Sequence, residues 1–131
     1  MSEKSIINEF LLRARELSAT LFRNQVGMGW YGKFKARLSN DDVILSSARP
    51  LRAGLCEGSS DLIGWTRMTI TQEMVGKTVA IFTACEIKFS STVTTPEQAS
   101  FTQAVHKSGG LGTVARSFDE FTDYITNRWR S

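Results

Sequence analysis

The apolar run Val79–Cys85 constrains the fold most, because it is largely hydrophobic at both its odd and its even positions. Successive side chains of a strand point to opposite faces, so a strand of this kind is covered on both sides. We therefore expect a central strand over Thr78–Lys88, in a sheet flanked by helices. The strand ends in Glu86–Lys88, which brings a carboxylate and an ammonium to the same face.

Three segments predict helices around this sheet. Apolar residues at helical spacing predict a first helix over Glu3–Thr20. The sequence T-P-E-Q at Thr95–Gln98 is a capping box with proline at the first helical position, and the glycines at 109–110 end the second helix. Ser117–Glu120 repeats the capping-box pattern and opens a terminal helix.

The remaining segments predict strands and turns. Strands are expected at Leu21–Val26, at Leu62–Thr71 and at Leu111–Ala115, and Gly29–Ser47 is expected to form an exposed basic hairpin. Arg49–Leu55 is expected to be a loop. The order of the elements predicts a single α/β domain over residues 1–131, with one mixed sheet flanked by helices.

Asp61 precedes the strand at Leu62–Thr71, and a hairpin from that strand to Thr78–Lys88 would bring Asp61 and Glu86 to one sheet edge. Carboxylate oxygens on rigid strands suit Mg²⁺ or Mn²⁺, and the Ile87 carbonyl adds a further ligand. With Lys88 to orient water and stabilise charge on a phosphate, these groups indicate a metal-dependent phosphodiesterase.

Each of these residues also has an ordinary structural interpretation. Asp61 can cap a turn, and Glu86 can pair with Lys88. Gln98 is a helix-capping residue, and it is equally a candidate for positioning water or metal. The only histidine, His106, lies near a helix end and is interpreted as a solvated residue rather than a base.

Composition narrows the class of protein. The net charge of +3 and the pI near 9.1 are compatible with a polyanionic partner. No apolar run is long enough to cross a bilayer, and the N-terminal residues lack a signal-peptide core, so a cytoplasmic protein is expected.

Cys56 and Cys85 form no metal-binding pattern and are expected to be reduced and buried. The candidate phosphate contacts are Arg23, Lys33, Lys35, Arg49 and Arg52.

The ordered set of motifs resembles the VRR-NUC domain, the virus-type replication-repair nuclease branch of the PD-(D/E)xK superfamily. The resemblance covers almost the whole chain, and Ser60 stands where the superfamily name has proline. The motifs that carry it are Glu3, Leu21–Asn24 with Gly27, Gly58–Gly64, Cys85–Lys88, Thr95–Phe101, Gly109–Gly110 and Val114–Ser117.

The resemblance implies a restriction-endonuclease-like α/β fold and divalent-metal-dependent cleavage of DNA. Asp61, Glu86, the Ile87 carbonyl and Glu3 would hold Mg²⁺ or Mn²⁺, with Glu9 as a rival to Glu3. Lys88 would be the catalytic lysine and Gln98 the family's glutamine. No organic cofactor is implied.

Stand-alone domains of this size look like phage or prophage proteins, similar to homodimeric nucleases that act on branched DNA such as four-way (Holliday) junctions. The hairpin at Gly29–Ser47 and the terminal Trp129 are candidate dimer contacts. The alternative hypotheses are a DNA-binding or scaffolding protein that keeps the fold without the chemistry, and a metal hydrolase acting on other substrates.

Overall fold

The computed structural model describes residues 2–130, and over that range the chain is a mixed α/β protein. None of the helices in this range is long and apolar enough to span a membrane. The elements in chain order are α1 (Glu3–Arg13), a 3-10 helix (Ala14–Leu17), β1 (Ala19–Arg23), β2 (Gly27–Arg37), β3 (Val43–Ala53), β4 (Leu62–Thr66), a 3-10 helix (Gln72–Met74), β5 (Thr83–Ile87), α2 (Pro96–Lys107), β6 (Leu111–Ala115) and α3 (Phe118–Asn127).

The strands pair two by two. β1 pairs with β4, β2 pairs with β3 in antiparallel fashion, and β5 pairs with β6 in parallel fashion. Within residues 2–130, these three small sheets stand in place of the single mixed sheet that the sequence predicts. The coarse class, α/β, is confirmed.

The predicted hairpin that joins the Asp61 strand to the Glu86 strand is wrong. β4 ends at Thr66 and β5 begins only at Thr83, and β5 takes β6 as its neighbour. Most of the apolar run at 79–85 therefore lies outside a strand, with 55% of Val79 and 39% of Ile81 exposed. Hydrophobicity favours a strand only where another strand satisfies its backbone hydrogen bonds. Of residues 78–82, Phe82 makes one such bond, from the Leu111 N–H to its carbonyl at 2.9 Å, and the described residues before it lie outside a strand.

Other boundaries also differ from prediction. The first helix ends at Arg13 rather than Thr20, because the chain tightens into a 3-10 helix before β1. The predicted loop at Arg49–Leu55 is wrong, since β3 continues to Ala53. Cys56 and Cys85 are free thiols, but Cys56 is exposed rather than buried because it lies in a surface turn.

Cα packing divides the chain into two compact units. The first unit comprises Met1–Ala14 and Leu21–Ile63, so it holds α1 and the β2–β3 hairpin. Ser2 caps α1 by accepting a hydrogen bond from the Ser5 N–H. Ile7 and Ala14 are the buried apolar residues of this unit in the described range.

The second unit comprises Arg15–Thr20 and Gly64–Ser131. Both α2 and α3 pack against β6, and Val105, Leu111 and Ala115 are buried where these elements meet. The Trp65 ring lies 5.1 Å from Phe82 and 6.2 Å from Phe101, measured between centroids, which adds an aromatic cluster to the same unit.

Side chains of α3 close the carboxyl end of α2. The Arg128 guanidinium donates to the carbonyls of His106 and Gly110, at 2.9 and 3.3 Å. The Tyr124 hydroxyl accepts from the Gly112 N–H at 3.0 Å and lies 2.7 Å from His106 Nδ1. Arg128, directly after α3, thus adds a second donor to the His106 carbonyl, which also accepts from the Gly109 N–H at 3.1 Å.

Gly112 permits the close approach of β6 to α2, and we expect Gly112→Ala to destabilise the protein. A Cβ at this position would overlap the Thr102 carbonyl oxygen and would lie 3.0 Å from Val105 Cβ. Overpacking of this kind costs about 1–3 kcal/mol of unfolding free energy, measurable by urea denaturation. Gly27→Ala is the matched control, because nothing lies within 4 Å of its Cβ. Equal stability of the two variants would contradict the prediction.

Candidate functional site

The N-terminus of α2 forms the predicted capping box. The Thr95 hydroxyl accepts from the Gln98 N–H at 3.2 Å, and Gln98 Oε1 accepts from the Thr95 N–H at 3.0 Å. Pro96 occupies the first helical position, where the missing N–H costs nothing. The prediction of this helix start from the sequence is confirmed.

The Gln98 amide also joins two charged residues at the end of β5, Glu86 within the strand and Lys88 directly after it. Its Oε1 accepts from Lys88 Nζ at 2.6 Å, and its Nε2 donates to Glu86 Oε1 at 2.7 Å. Lys88 Nζ lies 3.3 Å from the same Glu86 oxygen. Glu86, Lys88 and Gln98, here called the Glu–Lys–Gln cluster, therefore form a closed triangle of polar contacts.

Burial gives this triangle its stability and its chemistry. Only 10% of the Lys88 side chain and 30% of the Glu86 side chain are exposed. An isolated buried ammonium would be costly, and here it is compensated by a carboxylate and an amide oxygen. Glu86 Oε2 makes no hydrogen bond within the described residues, so one carboxylate oxygen remains available to a cation.

The Ile87 carbonyl is directed away from the β5–β6 pairing. The Lys88 N–H donates to the Ala115 carbonyl at 3.1 Å, and the peptide bonds of the described chain are trans. In a planar trans peptide the C=O points opposite to the N–H, so the Ile87 oxygen faces the other edge of β5. Within the described residues β5 pairs only with β6, and this oxygen lies on its open edge.

The loop that follows Lys88 is fixed by Arg116. This guanidinium, just beyond β6, donates to the Ser90 carbonyl and, at 2.8 Å, to the Thr92 carbonyl. The Thr92 hydroxyl in turn accepts from the Phe89 N–H at 3.0 Å. These contacts tie the Lys88 end of β5 to the segment that leads into α2.

Asn24 organises the turn that carries Asp61, in the first unit. Its Nδ2 donates at 2.8 Å both to Ser59 Oγ and to the Ser60 carbonyl, and its Oδ1 accepts from the Leu55 N–H at 2.9 Å. The backbone N–H of Asn24 donates to the Asp61 carbonyl at 2.8 Å. Asp61 is therefore held by its backbone, while its exposed side chain makes no hydrogen bond within residues 2–130.

A cavity of about 300 Å³ in the first unit brings Glu3 and Asp61 together. Arg23 and Asn24 also line it, which places one of the predicted phosphate contacts beside the two carboxylates. Glu9, the rival to Glu3, does not line the cavity and instead pairs with Arg13 at 2.8 Å. Of these two glutamates, Glu3 is therefore the one that shares a cavity with Asp61.

The donor set suits a hard divalent cation. Glu3, Asp61, Glu86 and the Ile87 carbonyl all offer oxygen, the donor that Mg²⁺ and Mn²⁺ prefer. Within residues 2–130, however, no three His, Cys, Asp or Glu side chains gather as a metal-binding group. Glu3 and Asp61 belong to the first unit, and Glu86 belongs to the second.

Four of the predicted phosphate contacts lie on the β2–β3 hairpin. Arg49 is paired with Tyr31, Arg52 with Met28 and Lys33 with Ser46, while Lys35 lies at a register shift. All four side chains belong to exposed residues.

Sequence reasoning missed two positioning residues. Asn24 was noted only within a motif, although a polar residue directly after a strand is a common anchor for a nearby turn. Arg116 was likewise noted only within a motif, and its role depends on a contact with Ser90, 26 residues away in the chain, that no local pattern predicts.

Comparison of the chain with known protein families, with curated proteins and with solved structures found no significant match.

Replacing Glu86 by Gln should lower the pKa of the Cys85 thiol. Burial raises that pKa above its ordinary value, and the negative charge of Glu86 raises it further. The neutral amide removes the second cause, so the thiolate should form at lower pH. Thiolate absorbance against pH, in a Cys56→Ser background, measures the shift, and Glu97→Gln is the control. An unchanged Cys85 titration would contradict the prediction.

Proposed function

We propose that this protein is a divalent-metal-dependent DNA endonuclease. The observation that carries the proposal is the Glu–Lys–Gln cluster, in which a buried ammonium contacts a carboxylate at the end of a strand. An ordinary surface ion pair would leave Lys88 mobile in solvent, whereas here only 10% of its side chain is exposed. Holding a charge in a fixed position is what transition-state stabilisation requires.

Oxygen donors of this chain would hold the metal. The proposed ligands are Asp61 and Glu3, which line one cavity of the first unit, and Glu86 and the Ile87 carbonyl, which lie at the end of β5 in the second unit. A bound Mg²⁺ or Mn²⁺ polarises a phosphate oxygen and makes a coordinated water more acidic.

Lys88 is the proposed catalytic residue. Its ammonium orients the attacking water and offsets the negative charge that develops on the phosphate. Gln98 acts as a positioning residue, because its Oε1 contacts Lys88 and its Nε2 contacts Glu86. The capping box fixes Gln98 in turn, so α2 holds both charged side chains in register.

The hairpin cations support DNA as the substrate. Every charged residue within β2 and β3 is Lys or Arg, and phosphate contacts of this kind position a nucleic acid without reading its sequence. We therefore propose a preference for DNA structure, with branched DNA such as a four-way junction as the substrate and a homodimer as the active form.

A DNA-binding or scaffolding protein is the second candidate. It is favoured by the absence of a three-carboxylate group within the described residues. Manganese titration separates the two functions: Mn²⁺ binding that is lost in Asp61→Asn supports the nuclease, and equal DNA binding without any Mn²⁺ binding supports the scaffold.

Lys88→Met should abolish cleavage while leaving DNA binding nearly intact. Losing one positioned donor to a transition state lowers the rate by about 10²–10³-fold. Cleavage of duplex, flap and four-way junction DNA with Mg²⁺, Mn²⁺ or EDTA provides the measurement, and thermal unfolding checks that the variant folds. Lys77→Met, in an exposed segment, is the matched control. A Lys88→Met protein that cuts normally would rule out the catalytic assignment.

A further inference from the structure

Large aromatic side chains on the β2–β3 hairpin are exposed to solvent. The exposed fractions are 66% for Trp30, 50% for Tyr31 and 63% for Phe34. A two-stranded hairpin is at best marginally stable alone, and exposed aromatic surface of this extent marks a binding surface. The packing of the hairpin therefore leaves much of its aromatic surface unburied.

The register interleaves these aromatic residues with cations. Trp30 pairs with Pro50, and the adjacent pair on the same face joins Met28 to Arg52. On the opposite face Tyr31 pairs directly with Arg49, and Lys33 follows two residues later. Each face thus presents an aromatic ring beside a positive charge.

Charge decides what kind of partner fits. The acidic residues of the hairpin, Asp41 and Asp42, lie in its turn, and β2 and β3 themselves contain none. Two copies placed with these strands face to face would therefore oppose like charges. Within the described residues, Lys33, Lys35, Arg49 and Arg52 form no ion pair. A polyanion is the complementary ligand, and a nucleic acid adds flat rings that can stack on the aromatic side chains.

Stacking requires a base whose face is accessible. Bases inside a duplex are covered by their neighbours, whereas unpaired bases at a single strand or a branch point are not. We propose that the β2–β3 hairpin binds single-stranded DNA by stacking bases on Trp30 and Phe34, with phosphates held by the neighbouring lysine and arginine side chains. The choice of DNA rests on the proposed function, but the binding itself requires neither metal nor cleavage.

Trp30→Ala and Trp129→Ala test the inference as a matched pair, because the two tryptophans are similarly exposed, at 66% and 59%. Fluorescence anisotropy in EDTA measures affinity for a labelled thymidine oligonucleotide and for a blunt duplex. Loss of one stacked base weakens binding by about tenfold. We expect that loss for Trp30→Ala on the single strand only, and no change for Trp129→Ala on either DNA.

Three outcomes would overturn the inference. Equal affinities of Trp30→Ala and Trp129→Ala for the single strand would show that no base stacks on Trp30. Equal weakening on single strand and duplex would point to a general loss of binding. Sedimentation showing that Trp30→Ala converts a dimer to a monomer, with single-strand affinity unchanged, would assign the hairpin to self-association.

Salt dependence adds a second readout. Lys33→Ala should reduce the dependence of affinity on salt by about one unit of log–log slope, whereas Trp30→Ala should leave that slope unchanged. The same proteins assayed for cleavage separate the two proposals. If single-strand binding depends on Trp30 but no DNA is cleaved, the binding inference stands and the nuclease proposal is refuted. If DNA is cleaved but Trp30→Ala does not change binding, the nuclease proposal stands and the binding inference is refuted.

Discussion

A single amide, that of Gln98, links the helix start of the second unit to its charged residues. Its oxygen accepts from both Lys88 Nζ and the Thr95 N–H, and its nitrogen donates to Glu86. One side chain therefore satisfies the first turn of α2 and fixes the distance between a buried ammonium and a carboxylate. The interpretation of Gln98 as a helix cap is confirmed, and the cap also places its amide against Lys88 and Glu86. Its role in positioning water or metal stays a prediction. A change at Gln98 would affect helix stability and the cluster together, so it is a poorer probe of chemistry than a change at Lys88.

The first unit uses a comparable arrangement around Asn24. One side chain binds three backbone or hydroxyl groups of the turn at 55–60, and its own N–H binds the Asp61 carbonyl. The backbone is held while the Asp61 carboxylate stays exposed and without a hydrogen bond in the described range. Rigid backbone with an available carboxylate is the condition under which a short turn can serve as a metal ligand at little cost in conformational entropy.

Sequence patterns that are complete within a few residues predicted the helix starts and β6 well. Patterns whose outcome depends on a distant strand did not predict the strand pairing. The capping-box patterns in the sequence located α2 and α3, since a cap is satisfied by its own first turn. The structure forms the full box at Thr95, and at Ser117 it forms the N-cap bond while Glu120 accepts from the Arg116 N–H. The strand β6 was also predicted at its observed bounds. The central strand predicted from the apolar run at 79–85 was wrong in its extent and its partner, because an apolar segment does not specify which strand it will pair with. For the same reason Glu86 and Lys88 could be assigned to one face from their spacing, whereas a shared sheet edge for Asp61 and Glu86 could not be derived.

In the proposed nuclease, attraction to a polyanion and chemistry would depend on different residues. Lys88 contacts Glu86, so the pair is nearly neutral when viewed from a distance and contributes little to long-range attraction. Arg37 pairs with Asp41 at 3.5 Å, whereas Lys33, Lys35, Arg49 and Arg52 have no carboxylate partner within residues 2–130. The exposure of these four residues keeps their potential accessible to solvent. Encounter with DNA would therefore depend on the hairpin and on salt concentration, and a rate-limiting chemical step would depend on the buried ammonium. A nuclease organised in this way can lose its chemistry through one substitution at Lys88 and still bind DNA, which is why binding alone cannot separate the nuclease from the scaffold.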